Sequence, residues 1–392
     1  MSDVIFDCTE LYQNPVRTGI QRVVREMLRS WPEDGPRLHV VRYDRRRNLI
    51  RLSAQAIRVL TDQDPGLQEL SRDDIVARLA DIDKAAPSEP LPADAIHFIP
   101  EVFYDPLRCR HYEWLMSARG RTVAMLAYDF IAFLKPQLFN MRSCVSLTEY
   151  LRLIAGAPHV AHISEATRRD YERRILYGRG PRKGPVLPLG ADGLKMERQK
   201  WCPDRKTFVA LGSIDQRKNQ HLTFEAMRQL WDEGCDVPLT LIGQAFKRAD
   251  IAWIEEASLY PQFRWLDQAS DEDIRRELSS ARCTIYVSEA EGYGLPPVES
   301  IWAGIPVIST VNMPSLEGLP ANGSLRISCA NAKELRGAVE FMLDDANAKN
   351  AWLDTGKLEL ATWRDFARHT ADWLADIKTG VPPPRVPKRE LL

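Results

Sequence analysis

The sequence predicts an α/β protein of two parallel-sheet domains. Short apolar runs alternate with helix-period segments in two successive series, and the alternation breaks once, over residues 187–205. At 392 residues the chain is long enough for two domains of ordinary size. The near balance of 53 basic and 54 acidic residues, for a net charge of −1, excludes a nucleic-acid binder and a disordered acidic chain.

In the first series, VIFDC near residue 4 reads as a strand. Thr18-Gly19-Ile20-Gln21 is a capping-box match that opens a helix. Ile20, Val23, Val24, Met27, Leu28 and Trp31 recur there at helical spacing, while Arg22, Arg25 and Arg29 line another face. Strands follow at 95–100, 122–128 and 159–164, with Ser164 placed to cap the next helix. After the break come strands at 207–213, 238–244, 283–289 and 306–310, and a second capping-box match at Ser270-Asp271-Glu272-Asp273. The predicted organisation is an N-terminal α/β domain over 1–190 and a second α/β domain over 205–361. A closing helix over 362–378 packs back on the first domain, and a Pro-rich tail fills 379–392.

Charge is segregated along the chain. Residues 1–60 hold eleven Arg against seven acids, and residues 61–105 hold eleven acids against three bases. A second basic stretch runs from Ala166 to Lys183. Arg22, Arg25 and Arg29, with Arg42, Arg45, Arg46 and Arg47, are expected on a face toward anionic membrane. No apolar run reaches transmembrane length, and the N-terminus lacks a secretory pattern. The seven dispersed cysteines fit reduced thiols, so a cytoplasmic enzyme is expected, peripheral at the inner membrane face.

The chemistry concentrates in Ser288–Thr310, SEAEGYGLPPVESIWAGIPVIST. A strand ends near Ser288, and Glu291 lies in the loop beyond it. Gly292 and Gly294 admit close backbone approach, Pro296 and Pro297 suit a first helical turn, Glu299 falls on that helix and Gly304 ends it. The free amides at such a helix start form an anion site suited to a diphosphate. Two carboxylates beside a phosphate call for hydroxyl donors, which a sugar and a ribose supply.

The pair Glu291–Glu299, spaced E-x7-E within EGYGLPPVES and followed by AGIPVI, resembles the donor-site motif of retaining GT-B glycosyltransferases of family 4. RTGIQRVVRE, ISEATRRD, PLGAD, LGSIDQRKNQ and FRWLDQASDEDI resemble further family segments in the family's order, over most of the chain but weakly over about 32–120. The resemblance implies a GT-B fold, two Rossmann-like α/β domains facing across a cleft, with the N-terminal one as the acceptor domain. It also implies transfer of a sugar from a nucleotide diphosphate with retention of configuration. Glu291 would bind the transferred sugar, Glu299 the ribose and Lys218 the leaving diphosphate. The amides of Tyr293, Gly294 and Leu295 would hold phosphate and sugar, and Gly19 would let the first domain's loop close over the phosphate. Gly212, Ser213, Arg217 and Gly243 complete the expected donor-binding set.

Two positions depart from the family. Ser213 follows the glycine where many relatives carry Arg, so one positive charge is missing unless Arg217 supplies it. Tyr128-Asp129 stands where many relatives have His-Asp. Asp129 is expected to orient a hydroxyl, a role its tyrosine neighbour cannot share as a histidine would. His159 and His162 read as structural. On this reading the departing diphosphate can take the acceptor proton, so no dedicated base is required, and Lys218 and the helix amides stabilise its charge, so no metal or other cofactor is expected. The D-x-D letters at Asp62-Gln63-Asp64, Asp81-Ile82-Asp83 and Asp271-Glu272-Asp273, which a metal-dependent transferase would need, lie in helix-like acidic surroundings. The RKN loop and E-G-x-G-L-P resemble bacterial mannosyltransferases of surface-polysaccharide assembly. That implies a GDP-linked mannose-type donor, with dTDP-rhamnose or a UDP-sugar as alternatives, and a saccharide or lipid-linked saccharide acceptor. A catalytically silent binding partner that kept the fold is the rival reading.

Overall fold

The computed structural model describes residues 3–16, 19–44, 46, 48–63, 67, 70–85, 90–177, 184–245, 251–328 and 331–379. Two compact units divide the chain: residues 1–189 with 363–392, and residues 190–362. Thr18 of the first capping match, Arg45, Arg47, Asp64, Cys329, residues 178–183 and the tail from 380 fall outside the described residues.

The first unit is built on strands β1 (Asp3–Asp7), β2 (Arg37–Tyr43), β3 (Leu49–Arg51), β4 (Ile96–Ile99), β5 (Val123–Ala127) and β6 (His159–His162). Their order is β3-β2-β1-β4-β5-β6, parallel throughout except for the antiparallel edge strand β3. Helices α1 (Thr9–Gln13), α2 (Gly19–Arg29), α3 (Ala54–Leu60), α4 (Arg72–Ala85), α5 (Pro106–Ser117), α6 (Ile131–Leu134), α7 (Met141–Ser146), α8 (Thr148–Gly156) and α9 (Glu165–Asp170) connect them. β4 and β5 are buried along their whole length, as central parallel strands must be when helices cover both sheet faces. Ser164 caps α9 by accepting from the Thr167 amide.

The second unit repeats the plan. Its strands are β7 (Thr207–Leu211), β8 (Leu239–Ile242), β9 (Phe263–Leu266), β10 (Ala281–Tyr286), β11 (Val307–Thr310) and β12 (Ser324–Ile327). They form one fully parallel sheet in the order β12-β11-β10-β7-β8-β9. Helices α10 (Gln220–Asp232), α11 (Ala252–Ala257), α12 (Asp271–Ser280), α13 (Leu295–Trp302), α14 (Ala332–Leu343) and α15 (Asp345–Asp354) pack around it. Ser270 and Asp273 form the reciprocal capping box at the start of α12. The last helix, α16 (Trp363–Thr379), belongs to the first unit, where Trp373 meets Phe98 edge-on at 6.1 Å.

Residues 190–205 lack regular structure yet are fastened to the second unit. Gln199 N donates to Ala303 O at 2.7 Å, and Arg198 Nη2 reaches Thr355 Oγ1 at 2.6 Å. Gly304 is glycine because a Cβ there would press on the Gln199 carbonyl with φ at +85°.

Three of the seven arginines expected on a cationic face of the first unit are committed within it. Arg25 is buried: its Nε donates to Leu60 O at 2.9 Å, Nη1 to Val16 O at 3.1 Å, and it pairs with Asp62. Arg29 binds Glu26 and the Thr61 carbonyl. Arg42 pairs with Asp83 at 2.6 Å and lies over the Tyr12 ring. These guanidinium groups saturate carbonyls and carboxylates that are distant in sequence, which helical periodicity alone cannot register. The same contacts occupy two of the D-x-D candidates, through Asp62 and Asp83, while Asp273 serves its helix cap.

Candidate donor site of the second unit

Two loops at the carboxyl ends of neighbouring strands β7 and β10 build the site. After β7 the chain passes Gly212 and Ser213 and enters a 3-10 turn at Gln216–Lys218, capped by Asp215, which accepts from the Arg217 amide at 2.9 Å. Asn219 follows at φ 54°, and its Nδ2 donates to Val287 O at 3.0 Å. The Arg217 carbonyl accepts from the Glu289 amide at 2.7 Å, and Ser288 Oγ lies 3.0 Å from it. These bonds tie the β7 loop to the β10 loop and carry Lys218 to Glu291.

Glu291 Oε1 is the centre of the arrangement. It accepts from Lys218 Nζ at 2.5 Å, Ser288 Oγ at 2.7 Å and Tyr286 Oη at 2.9 Å. Lys218 Nζ also lies 2.5 Å from Tyr286 Oη, so ammonium, phenol and carboxylate close a triangle. Both charged side chains are partly buried, at 14% and 12% exposure, where their attraction is stronger than at an open surface. Burial, then the Glu291 charge and hydrogen bond, push the Tyr286 phenol well above its ordinary pKa, and Glu299 adds to the push. The phenol therefore stays protonated and can donate.

Glu299 is buried on α13, within electrostatic reach of Tyr286. α13 starts at Gly294, whose φ of +87° and closeness to Met313 Sδ leave no room for a Cβ. Pro296 and Pro297 occupy its first turn. Tyr293 is buried, its carbonyl accepting from the Ser315 amide at 2.8 Å. The structure thus gathers Lys218, Glu291, Tyr293, Gly294, Leu295 and Glu299 around two adjoining loops.

Three expected residues have other commitments. Arg217 makes a two-pronged pair with Asp215, at 3.0 and 3.1 Å. Burial pushes the Asp215 carboxyl up, but the Arg217 guanidinium and amide outweigh it and hold the group below its usual range. The cation that would make good the missing arginine is engaged by its own loop. Gly243, with φ at +155°, passes so close to the Gly212 carbonyl that any Cβ would collide with it. Gly212 faces the Tyr286 ring, whose Cε2 would lie 3.6 Å from a Cβ. Close backbone packing requires glycine at 243, whereas at 212 a Cβ would make only ordinary contact with the ring and glycine is favoured by its φ of +142°.

Gly19 and Asp129 lie in the first unit. Gly19 opens α2 in an exposed, left-handed conformation at φ 60°. Asp129 is exposed just past the end of β5 and accepts from the Ile131 amide at 3.0 Å. Tyr128 is buried, with its hydroxyl on the Pro100 carbonyl at 2.7 Å, and burial keeps it neutral. His162 is fully buried against Tyr171, and burial lowers it to about 3, so it stays uncharged.

Tyr286 and Ser288 escaped sequence reasoning as site residues. Both end a run, CTIYVS, that reads as buried strand, and only the placement of Lys218 gives their hydroxyls a purpose.

Residues 194–358 match the family described as glycosyl transferases group 1. The serotype-specific mannosyltransferase WbdA of Escherichia coli is 27% identical over 165 residues, 41% of this chain and 20% of that protein. The chain thus spans about a fifth of that relative's length. The O-antigen chain mannosyltransferase B of Escherichia coli is 29% identical over 113 residues, 28% of this chain and 30% of that protein. A structure of sucrose-phosphate synthase from Thermosynechococcus elongatus superposes with a TM-score of 0.66 at 17% identity, covering 97% of this chain and 100% of that one. The RTGIQRVVRE, ISEATRRD and PLGAD segments lie outside the family match, which falls within the second unit. The chain has the GT-B fold, and residues 194–358 are its glycosyl transferases group 1 domain.

Proposed function

We propose that the chain is a retaining glycosyltransferase that moves a mannose-type sugar from a nucleotide diphosphate, GDP-linked, to a saccharide or lipid-linked saccharide during surface-polysaccharide synthesis. The observation that carries the reading is the Lys218–Glu291 pair beside the Gly294 start of α13. A diphosphate arriving at the helix amides would draw Lys218 from Glu291, leaving the carboxylate to accept from hydroxyls of the transferred sugar. Lys218 and the amides of Gly294 and Leu295 would then stabilise the charge that develops on the leaving diphosphate. That diphosphate takes the acceptor proton as the glycosidic bond to it breaks, so no dedicated base is needed.

Glu299 would bind the ribose, with Arg217, Gly212, Ser213 and Gly243 shaping the loop beneath. On the first unit the reading keeps Gly19 for the donor phosphate and Asp129 for a hydroxyl. Catalysis without a metal is part of the proposal, since Lys218 supplies the cation. Mannosyltransferase relatives such as WbdA support the sugar class. The activity is placed in the cytoplasm, at the inner face of the membrane.

Calorimetry with GDP-mannose, dTDP-rhamnose and UDP-glucose, with and without EDTA, tests the reading. Tight binding of one donor and its transfer in EDTA are expected. Activity lost in EDTA and restored by Mn²⁺ would overturn metal independence. Absence of binding by any of the three would favour the silent partner, which the buried, committed Tyr128 supports.

A further inference from the structure

The second unit holds a cavity of about 200 Å³ at the far end of its sheet from the donor loops. Those loops follow the carboxyl ends of β7 and β10, whereas the cavity is floored by Pro306, Val307 and Ser324, at the amino ends of the parallel strands β11 and β12. One wall is α15, which contributes Asn347, Asn350 and Asp354. These recur at i, i+3 and i+7 and so share one face of the helix. Phe341 of α14 supplies the aromatic ring of the lining.

The frame of the cavity is fixed from behind. Arg282, fully buried, donates from Nη2 to Leu343 O at 2.8 Å and to Asp345 Oδ1 at 2.7 Å, which pins the junction of α14 and α15. Asp344 caps α15 by accepting from the Asn347 amide at 2.9 Å. Gly323 stands at φ +69° with its Cβ position filled by Thr355, so the turn before β12 packs directly on the residue that ends α15. The polar groups of the lining, by contrast, are unspent. The side-chain amides of Asn347 and Asn350 make no hydrogen bond among the described residues. Asp354 gives Oδ1 to Lys357 Nζ at 2.5 Å, and a carboxylate has acceptor capacity beyond one bond. Phe341 is 46% exposed and meets no other ring among the described residues.

The lining selects among ligands. It contains no Lys or Arg, so a phosphate or nucleotide would lack a cation. Its one carboxylate is too few for a metal ion, and no group of three or more His, Cys, Asp or Glu stands together for one among the described residues. A wholly apolar ligand would leave the two amides unpaired. We propose that this groove binds a neutral saccharide, with one sugar ring laid on Phe341 and its hydroxyls exchanging hydrogen bonds with Asn347, Asn350 and Asp354. A hydroxyl both donates and accepts, as does a primary amide, so neighbouring hydroxyls of one ring can be answered together. The Phe341 ring covers the C–H face. The inference deepens the proposed function and rests on it for the sugar, a mannose-type glycan under extension. Held at the far end of the sheet, a glycan stays on the protein between transfers, which raises the effective concentration of its growing end.

The test needs no transfer. The full chain is mixed with α-linked mannotriose, with maltotriose or with GDP, and backbone hydrogen exchange is read by mass spectrometry. A one-ring site is expected to bind on the order of 1 mM, so each sugar is used at about tenfold that. Mannotriose is expected to slow exchange over residues 321–325 and 341–354, and GDP to leave both segments unchanged. The variant F341A/N350A, which alters two exposed side chains, is expected to weaken that binding about tenfold or more with its thermal midpoint unchanged. No protection of either segment by either sugar, protection that persists in the double variant, or equal protection by GDP would overturn the proposal. Protection by maltotriose but not by mannotriose would keep the saccharide site and overturn the mannose-type sugar. GDP-mannose binding, followed in parallel by calorimetry, reports on the donor loops. Its failure alone counts against the donor reading and leaves the groove standing.

Discussion

Tyr286 donates its hydroxyl to Glu291 across 2.9 Å while the Lys218 ammonium stands 2.5 Å from the same oxygen. In the proposed reaction Lys218 would turn to a phosphate while Tyr286 and Ser288 hold the carboxylate, which would make both positioning residues. Tyr286→Phe keeps the ring under Gly212 and removes only the hydroxyl. Turnover is expected to fall about tenfold, equivalent to about 1.4 kcal/mol, while GDP binds within about threefold of wild type, because only the sugar half of the donor meets Glu291. Equal losses for GDP and GDP-mannose in calorimetry would reduce Tyr286 to a packing role.

Glu291→Gln preserves shape and one acceptor oxygen but removes the charge. Transfer is expected to drop well beyond tenfold, a loss of more than about 1.4 kcal/mol of transition-state stabilisation. The thermal midpoint should stay within about 2 °C of wild type, because the amide oxygen can still accept from Lys218, Ser288 and Tyr286. Undiminished transfer would remove Glu291 from the reaction, and a collapsed midpoint would make it structural.

Arg25 separates a structural cation from a lipid-facing one. Arg25→Gln abandons three buried carbonyls and Asp62. The expected cost is on the order of 3 kcal/mol of stability, read by denaturant unfolding, with vesicle binding of the folded protein unchanged. Weakened vesicle binding at unaltered stability would return the α2 arginines to the membrane.

Acid should loosen the first unit. Burial holds His97 down to about 4 and His162 down to about 3, whereas in the unfolded chain both take a proton near pH 6.5. Between those values the unfolded state binds more protons than the native one, so stability falls as pH drops from 6.5 toward 4. The slope is up to about 1.4 kcal/mol per pH unit for each histidine. His162→Phe is expected to flatten that slope in unfolding measured between pH 4.5 and 7, and an unchanged slope would show that other groups set it.

The shape of the loop after β10 was legible because its punctuation is local. Glycines at 292, 294 and 304 and prolines at 296 and 297 mark where backbone must bend, whatever packs around them. The Ser270 capping box and the central strands were legible for the same reason. Strands β2, β3, β9 and β12 were missed. β2 carries Arg37, His39 and Arg42 within its run, β3 is three residues long, β9 is a half-exposed edge, and β12 is four residues long. Tyr286 could not be told from core, nor Arg25 from surface, because each is defined by partners far away in the chain: Lys218 for one, Leu60 for the other.

Under the proposed function, the Lys218–Glu291 pair would make the site a coincidence detector. Its charges offset each other, so free phosphate or a bare nucleotide would have to break an ion pair and would leave the carboxylate with only the Tyr286 and Ser288 hydroxyls. A nucleotide sugar brings an anion for the lysine and hydroxyls for the glutamate in one molecule. Discrimination between charged donor and spent nucleotide would then arise at rest, before any movement of the protein.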